Sequence, residues 1–255
     1  MSLKFVLTLS LLAFLVIIQA QNNWQEVSGG ALRIAVGPDG NPWIVDGDRE
    51  IYRRVNGQWQ RLPGTGIDIA VGADGTAFMV GNEAVGSNWK IYKFNGTDWQ
   101  EYDGSAYRIA VDRNGSPWVA NEAGDIYRRG DNRWVKVPGF ARDIGAGADG
   151  SIWAITKIAY QGGYEIAWWN EPAGGGCAVI DGGAVQLSVD PQGNPWIVND
   201  VGIIYRRSGS WKQLSGNWQP LSGTARDIGV GADGSVWIVG TAPVAGGFKI
   251  YRLVS

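Results

Sequence analysis

The chain has 255 residues, among them 39 Gly and 10 Pro, and this content of turn-forming residues excludes a fold of long helices. Apolar residues make up 45 % and include 14 Trp, enough for a packed core, while a net charge of −2 with no basic run excludes the usual electrostatic footprint for nucleic acid or anionic lipid. The sequence contains no His, which excludes Ser/His/Asp and Cys/His catalysis, histidine zinc sites and histidine general bases.

The first predicted element is an export signal. Lys4 precedes a mostly apolar run from Phe5 to Ile18, which is short for a bilayer span but suits a signal-peptide core. Residues 1–20 are therefore predicted to be a signal peptide that is removed by cleavage after Ala20. An uncleaved membrane anchor is the alternative. The chain is therefore expected to be secreted and extracellular, with residues 21–255 as the mature domain.

Two features agree with secretion. Asn95 begins the glycan acceptor triplet Asn95-Gly96-Thr97, whereas the triplet at Asn114 is weakened by Pro117. Cys177 is the one cysteine, so an internal disulfide is excluded and the thiol is either buried or able to link a second chain into an oligomer.

Six copies of one unit follow. Each has a strand with a small central residue, a turn with Gly, and an aromatic: IAVGPDGNPW (34–43), IAVGADGTAF (69–78), IAVDRNGSPW (109–118), IGAGADGSIW (144–153), LSVDPQGNPW (187–196) and IGVGADGSVW (228–237). A third strand of the type IYRR and a fourth of the type WQRLPG complete most units. Periods of 35 to 43 residues filled with short strands predict an all-β, six-bladed β-propeller of four-stranded blades.

Two units depart from this pattern. Unit four lacks the fourth-strand Trp, and residues 177–180 are expected to fill that slot. In unit five the segment WKQLSG (211–216) is followed by a second copy, NWQPLSG (217–223), and the pattern leaves open which copy pairs in the sheet.

The two ends of the chain complement each other. Unit six has no fourth strand, and an orphan segment of that type, WQEVSG (24–29), precedes unit one. This predicts that the N-terminal strand completes the last blade and closes the ring.

The units also alternate. Odd units carry Arg33, Arg108 and Gln186 before the first strand, whereas even units carry Asp68, Asp143 and Asp227 and have a longer hairpin. Pairs of blades related by pseudo-threefold symmetry are therefore expected.

With these repeats the sequence resembles the tectonin family of β-propeller lectins, which includes fish-egg and horseshoe-crab relatives. The resemblance rests on GADGSxW, IYRR and WxxLPG and covers residues 24–255. It implies binding of glycans on cell or microbial surfaces, as in innate defence, through several sites on the propeller rim or between blades. The near-equal units themselves favour weak repeated sites, and leave open whether three or six of them bind. The resemblance does not specify the sugar, and the altered unit four puts the site of that blade in doubt.

A sugar site needs an exposed aromatic ring beside fixed polar groups. The second-strand aromatics are interpreted mainly as blade core: Trp43, Phe78, Trp118, Trp153, Trp196 and Trp237. The carbohydrate-binding candidates are the outer-strand Trp59, Trp134 and Trp211, the irregular Trp89 and Trp168, and the arginine pairs Arg53-Arg54, Arg128-Arg129 and Arg206-Arg207.

Each candidate set has a structural alternative. The arginines could instead form ion pairs between blades with Asp68, Asp143 and Asp227. The turn carboxylates Asp39, Asp74, Asp149 and Asp233 could ligate Ca²⁺, but one carboxylate per turn favours turn capping, so no metal or cofactor is predicted.

Three functions remain open at this stage. A non-enzymatic lectin is favoured, with glycans as partners. A secreted protein-interaction propeller uses the same Trp and Arg residues, so the sequence separates it poorly from a lectin. An enzyme similar to streptogramin lyase is less favoured, because such enzymes look to depend on a histidine base that this chain lacks.

Overall fold

A computed structural model describes residues 23–169, 177–209 and 216–254. The described residues form 22 strands and no helix, so the fold is all-β, as predicted. In these ranges there is no helix of the length and apolarity needed to cross a membrane. The predicted signal segment, residues 1–20, and the candidate Trp211 lie outside the described residues.

Each repeat unit folds as consecutive antiparallel strands. Units one and two contain β2 (Arg33–Val36), β3 (Pro42–Val45), β4 (Glu50–Val55), β5 (Gln58–Val71), β6 (Ala77–Val85), β7 (Asn88–Phe94) and β8 (Trp99–Ala106). Units three and four contain β9 (Arg108–Val111), β10 (Pro117–Ala120), β11 (Asp125–Gly130), β12 (Arg133–Phe140), β13 (Asp143–Ala146), β14 (Ile152–Tyr160), β15 (Gly163–Trp169) and β16 (Cys177–Ala184). Units five and six contain β17 (Gln186–Val189), β18 (Pro195–Val198), β19 (Ile203–Ser208), β20 (Asn217–Val230), β21 (Val236–Val244) and β22 (Gly247–Val254).

The register follows from the turn chemistry. Gly40 adopts a φ of 74° in the turn between β2 and β3, a conformation open to glycine, and this turn places Ala35 opposite Trp43. The same pairing of a small residue with a large aromatic recurs as Gly145 opposite Trp153. Bulky rings of the second strand therefore face strands that leave room for them.

Two strands of 14 residues, β5 and β20, each belong to two units. The first half of β5 pairs with β4 of unit one, and its second half pairs with β6 of unit two. In the same way β20 pairs with β19 and then with β21. The chain thus passes from the outer strand of one unit to the first strand of the next without a break.

The N-terminal strand β1 (Asn23–Ala31) pairs with the last strand. It runs antiparallel to β22, with Trp24 opposite Leu253 and Val27 opposite Ile250. Unit six therefore obtains its fourth strand from the other end of the chain.

The structure shows which segment pairs as the fourth strand in each of the two irregular units. In unit five the second copy pairs in the sheet, since Trp218 of β20 lies opposite Arg207 of β19. In unit four the predicted replacement strand is present as β16, where Cys177 lies opposite Trp169.

The core lies between neighbouring units. The second-strand rings Phe78, Trp118, Trp153, Trp196 and Trp237 are buried, whereas Trp43 is only half-buried and packs edge-on against Phe94 and Trp99 of unit two. Burial of these rings in successive clusters between neighbouring sheets makes each unit depend on its neighbours.

Candidate functional site

The outer tryptophans connect neighbouring units. In four of them the indole N–H donates to a backbone carbonyl in the outer strand of the preceding unit, in the pairs Trp24–Ser222 (2.8 Å), Trp59–Ser28 (2.6 Å), Trp134–Asp103 (3.0 Å) and Trp218–Asp181 (2.9 Å). The outer ring of unit two, Trp99, lies beside Gly64 in the same way, but its buried Nε1 has no hydrogen-bond partner among the described residues. A glycine with positive φ follows each acceptor and lies against the ring, as Gly104 does beside Trp134. The half-buried candidates Trp59 and Trp134 therefore have a structural role, with one part of each ring exposed.

Unit four forms this contact with a ring from a different strand. Trp169 of β15 donates its indole N–H to the carbonyl of Pro138 at 3.0 Å and packs beside Gly139. The Trp missing from the fourth strand is thus replaced from the third strand.

Trp168, the neighbour of Trp169, is not available to a surface ligand. Successive residues of a strand point to opposite faces, so Trp169 packs towards unit three and Trp168 towards unit five. The Trp168 ring is only 6 % exposed and lies 6.4 Å from the ring of Trp153. Its selection as a binding candidate was wrong, because its break from the repeat pattern reflects core packing.

The first arginine of each pair covers the second-strand aromatic of its own unit. The Arg53 guanidinium lies 5.7 Å from the Trp43 ring, and that of Arg206 lies 6.0 Å from Trp196. Their Nε groups donate to Gln60 and Gln219 on the next strand. Arg128 lies opposite Trp118 in the same register.

The second arginine packs on the outer tryptophan. The guanidinium groups of Arg54, Arg129 and Arg207 lie 5.4, 5.5 and 5.2 Å from the rings of Trp59, Trp134 and Trp218. Arg129 and Arg207 also form ion pairs with Asp103 (2.6 Å) and Asp181 (2.8 Å) of the preceding unit. Because unit one meets Ser28 instead of an Asp at this place, Arg54 lacks that carboxylate, and burial together with nearby Arg252 lowers the pKa of Arg54.

The predicted partners of these arginines were therefore wrong. Asp68, Asp143 and Asp227 are buried near the first strands, where each accepts a backbone N–H from the following odd unit: Ile109 (3.0 Å), Leu187 (2.9 Å) and Ile34 (2.9 Å). The arginines paired with two of them come from the first strands of the odd units instead: Arg33 lies 3.9 Å from Asp227, and Arg108 lies 4.0 Å from Asp143. Burial raises the pKa of Asp143 to about 7 and that of Asp227 to about 6.

The turn carboxylates cap their own turns. Asp74 accepts the backbone N–H and the hydroxyl of Thr76, and Asp233 does the same for Ser235. Within the described ranges there is no group of three or more Cys, Asp or Glu side chains that could hold a metal ion.

The remaining sequence candidates lie on the surface. Asn95 is exposed, and its side-chain oxygen accepts the backbone N–H of Thr97 at 3.0 Å. Cys177 is an exposed free thiol. Trp89 is half-buried at the start of β7 and lines a separate cavity, described below.

A groove between units four and five combines rings with polar groups. Its volume is about 570 Å³, and its wall includes Trp218, Tyr205 and Tyr160, the last 47 % exposed. We call it the aromatic groove. Gln161, Asn199 and Asp200 line the same groove, so amide and carboxylate groups lie beside the rings.

Local structure positions these groups. Tyr160 and Gln161 lie at the tip of the long β14–β15 hairpin, a feature of the even units. Asn199 is held by its side-chain oxygen, which accepts the backbone N–H of Ile203 at 2.7 Å, and this leaves its amide N–H groups for other contacts. The backbone N–H of Asp200 donates to the carbonyl of Gly162 at 3.1 Å and joins the hairpin tip to unit five.

Related positions occur at the other two junctions from an even to an odd unit. Trp59 with Tyr52, and Trp134 with Tyr127, correspond to Trp218 with Tyr205, but Val244 and Val85 stand at the hairpin positions equivalent to Tyr160. The groove could not be predicted from the repeat pattern, because its residues come from separate units. Trp218 was not among the predicted candidates, although a signal for it exists: Trp218 precedes Asp227 by nine residues, just as Trp59 precedes Asp68.

The fold and the ring-and-carbonyl contacts between repeats define a repeat protein of the propeller type. A tectonin domain model matches residues 14–84 and 69–244, and the chain belongs to the tectonin family. Tectonin-1 of Physarum polycephalum is 30 % identical over 60 residues, which are 23 % of this chain and 28 % of that protein. The aligned segment thus spans little more than a quarter of the relative's length.

Solved structures similar to this chain show the fold alone. One is a gluconolactonase from Xanthomonas campestris, with 15 % identity and a TM-score of 0.62 over 92 % of this chain and 87 % of the other. Another is the WD40 repeats of RRP9, with 10 % identity and a TM-score of 0.59 over 91 % of this chain and 97 % of the other. A third is YCF48 bound to a D1 peptide, with 18 % identity and a TM-score of 0.53 over 92 % of this chain and 84 % of the other.

Proposed function

We propose that this protein is a secreted lectin that binds carbohydrate without catalysis and that its principal site is the aromatic groove. The observation that carries the proposal is the placement of Tyr160, Tyr205 and Trp218 beside the polar groups of Gln161, Asn199 and Asp200 in one groove. Sugar rings offer C–H faces that pack on aromatic rings and hydroxyls that need donors and acceptors, and the groove offers both. Membership of the tectonin family agrees with this function.

We also propose that the six units form a closed six-bladed propeller. In support, β1 completes the sheet of unit six, and Trp59 of unit one donates to Ser28 on β1. The backbone N–H of Ile34 in unit one donates to Asp227 in unit six, so the first strands of these two units also meet. Such a ring presents three junctions from even to odd units, and hence up to three related grooves.

Secretion is part of the proposal. It rests on the apolar run before Gln19 and on the exposed acceptor Asn95. Protein collected from culture medium is expected to begin at Gln21, and protein from a eukaryotic host is expected to carry a glycan on Asn95. Intact mass spectrometry measures both.

A protein-interaction function is the second candidate. The hairpin tip of unit four exposes Ile158 (61 %) and Tyr160 (47 %), and an apolar surface of this kind can also bind a protein segment. YCF48, which shares the fold, was solved with a bound peptide. Peptide binding that neutral sugars do not displace is the outcome that favours this candidate.

The first experiment is a glycan array screen, followed by calorimetry with a monovalent form of the sugar retained. Tyr160→Val introduces the residue that unit six has at this place, so the variant is expected to fold. Loss of one aromatic contact, roughly 1 kcal/mol, should weaken binding at this groove about fivefold. Val85→Ala changes the matching hairpin of unit two. It is the control and should leave the affinity of the aromatic groove unchanged.

Stoichiometry and avidity complete the test. If the three related junctions all bind, calorimetry should give a stoichiometry near three, with the aromatic groove the tightest. Agglutination of glycan-coated beads should then fall more steeply than solution affinity in Tyr160→Val, because several sites act together. Failure of every glycan to bind, or turnover of any glycan offered, would contradict a non-enzymatic lectin.

A further inference from the structure

A second cavity lies where units one, two, three, five and six approach each other, and its wall is rich in arginine. Its volume is about 380 Å³, and Arg33, Arg49, Arg108 and Arg226 line it together with the aromatic rings of Trp89, Tyr107 and Phe248. We call it the arginine cavity. Among the described residues its lining includes neither Asp nor Glu, although the chain as a whole has a net charge of −2.

Arg49 occupies a place where its sister units have glycine. Its φ is 66°, in the left-handed region that side chains other than Gly rarely adopt, while the matching residues Gly124 and Gly202 have φ of 89° and 86°. All three make the same turn hydrogen bond to the residue three places earlier, Asp46 in the case of Arg49. The backbone therefore suits glycine, and the strain of an arginine here indicates a role for its side chain.

Arg226 is a second cation without an anionic partner. Its guanidinium lies 4.1 Å from the Phe248 ring, and a stacked guanidinium keeps its N–H edge free for hydrogen bonds. Unit four has the same arrangement, with Arg142 at 4.1 Å from the Tyr164 ring, whereas unit two has Ile67 in this place, so the strand itself does not require a charge there. Across the described ranges, no carboxylate forms an ion pair with Arg226 or Arg49.

The other two arginines are held in place by neighbouring groups. Arg33 donates to Gln186 at 2.6 Å, and Arg108 donates to the carbonyl of Tyr107 at 3.0 Å. Both side chains are largely buried and lie 3.9 Å from Asp227 and 4.0 Å from Asp143, respectively, so these carboxylates balance much of their charge. Among the described residues, the positive charge that remains without a carboxylate partner at the cavity is that of Arg49 and Arg226. The Tyr107 ring carries the Arg108 guanidinium at 4.6 Å and is still 39 % exposed, so part of the ring is open to a ligand.

We propose that the arginine cavity binds an acidic saccharide, with Arg49 and Arg226 holding its phosphate, sulfate or carboxylate group and Trp89 or Tyr107 packing on its sugar ring. Guanidinium groups bind such oxyanions through paired hydrogen bonds, and aromatic rings pack on the C–H faces of sugars. The site is separate from the aromatic groove. It rests on the proposed lectin function only for the sugar ring, and not for the oxyanion.

The test is a titration monitored by NMR through the indole N–H signal of Trp89, which a Trp89→Phe variant assigns. The probes are glucose 6-phosphate, glucose 6-sulfate and glucuronate, with glucose as the neutral comparison and inorganic phosphate as the oxyanion without a ring. We expect at least one acidic sugar to shift the signal at millimolar concentration or below, glucose to be much weaker, and affinity to fall as salt is added.

Two variants and a control give the test its specificity. Arg49→Gly restores the glycine of the sister units and relieves backbone strain, so the variant should fold, and it should weaken acidic sugars about tenfold. Arg226→Ile, the residue of unit two, should do the same. Arg113→Gln removes one positive charge at a turn, where Arg113 contacts the carbonyl of Asp149, and should leave binding unchanged.

The outcomes separate the two proposals. Binding of acidic sugars that is unchanged in Tyr160→Val but about tenfold weaker in Arg49→Gly supports the arginine cavity, whether or not the aromatic groove binds sugar. Glucose binding as well as its phosphate, equal weakening by Arg113→Gln, or no shift with any acidic probe overturns the inference. Inorganic phosphate binding as tightly as the sugar phosphates would overturn the role of the rings.

Discussion

At the scale of single residues, the buried carboxylates Asp143 and Asp227 make stability depend on pH. Burial raises the pKa of Asp143 to about 7, despite nearby Arg108 and Arg33, and that of Asp227 to about 6. An unfolded Asp loses its proton near pH 4, so between about pH 4 and 7 the folded state binds more protons than the unfolded state. The stability contributed by these groups is therefore present at acid pH and lost as the pH rises.

The first prediction is that the free energy of unfolding falls between about pH 4 and 7, by up to about 1.4 kcal/mol per pH unit for each carboxylate. Asp143→Asn keeps an oxygen that can accept the Leu187 N–H but removes one titrating group. The free energy of unfolding of this variant should therefore fall less steeply with pH, and above pH 7 the variant should gain stability relative to the unmodified protein. Urea unfolding at a series of pH values measures this. An unchanged pH dependence in Asp143→Asn would argue against the raised pKa.

The second prediction concerns the glycines beside the outer tryptophans. A Cβ at Gly104, where φ is 94°, would lie 2.5 Å from Nε1 of Trp134. In Gly104→Ala the added methyl group would collide with the ring, and the backbone would have to keep a φ that is strained for alanine. The substitution should therefore destabilise the protein by roughly 2 kcal/mol or more. Gly96→Ala is the matched control, since Gly96 has a φ of 105° but nothing within 4 Å of a Cβ. Equal melting temperatures for the two variants would mean that the ring contact contributes nothing.

At the scale of elements, the contact between an outer tryptophan and the preceding strand is the repeated connection of this fold. It survives in unit four, where Trp169 of the third strand donates to Pro138 in place of a fourth-strand ring. In unit five Arg207 adds an ion pair to Asp181 on the strand that accepts the N–H of Trp218. The structural contact is thus retained even where the sequence repeat is altered.

The third prediction follows from the duplicated segment of unit five. Trp218→Phe keeps a ring over Arg207 but removes the N–H donated to Asp181, and it should cost about 0.5–1.5 kcal/mol of stability. Trp211→Phe changes the other copy and should cost less, because Trp218 already occupies the position opposite Arg207. Thermal unfolding of both variants measures the difference, and a greater loss in Trp211→Phe would reverse the assignment.

At the scale of the whole molecule, the two ends of the chain meet in one sheet. The strand β1 pairs along β22, and its Trp24 reaches the carbonyl of Ser222 in unit five while its Ser28 receives the N–H of Trp59 in unit one. One N-terminal strand therefore contacts three units.

The fourth prediction is that removal of β1 destabilises the entire domain. A chain that begins at residue 32 exposes the edge of β22 and loses both indole contacts, so its melting temperature should be at least about 6 °C below that of a chain that begins at residue 21. Trp24→Phe, which keeps the strand and removes one hydrogen bond, should lie between the two. Identical melting of the long and short chains would contradict closure of the ring.

The sequence by itself determined the all-β class, the six units, the family and the strand that completes unit six. These features depend on turn glycines and on the placement of large rings opposite small residues, and such signals act over a few residues and repeat. The same signals could not assign Trp168 to the core, since burial depends on the neighbouring unit and not on the strand that carries the ring.

Only the tertiary structure decided which residues from different units meet. It joined Arg207 to Asp181 instead of to Asp68, Asp143 or Asp227. It also placed Tyr160 beside Trp218, and gathered Arg49 and Arg226 into one cavity although 177 positions separate them in the chain. The physical reason is that every site lies at a junction between units, where the angle and register of packed sheets set the distances. A repeat pattern specifies each unit, whereas a site needs the exceptions to that pattern to lie side by side.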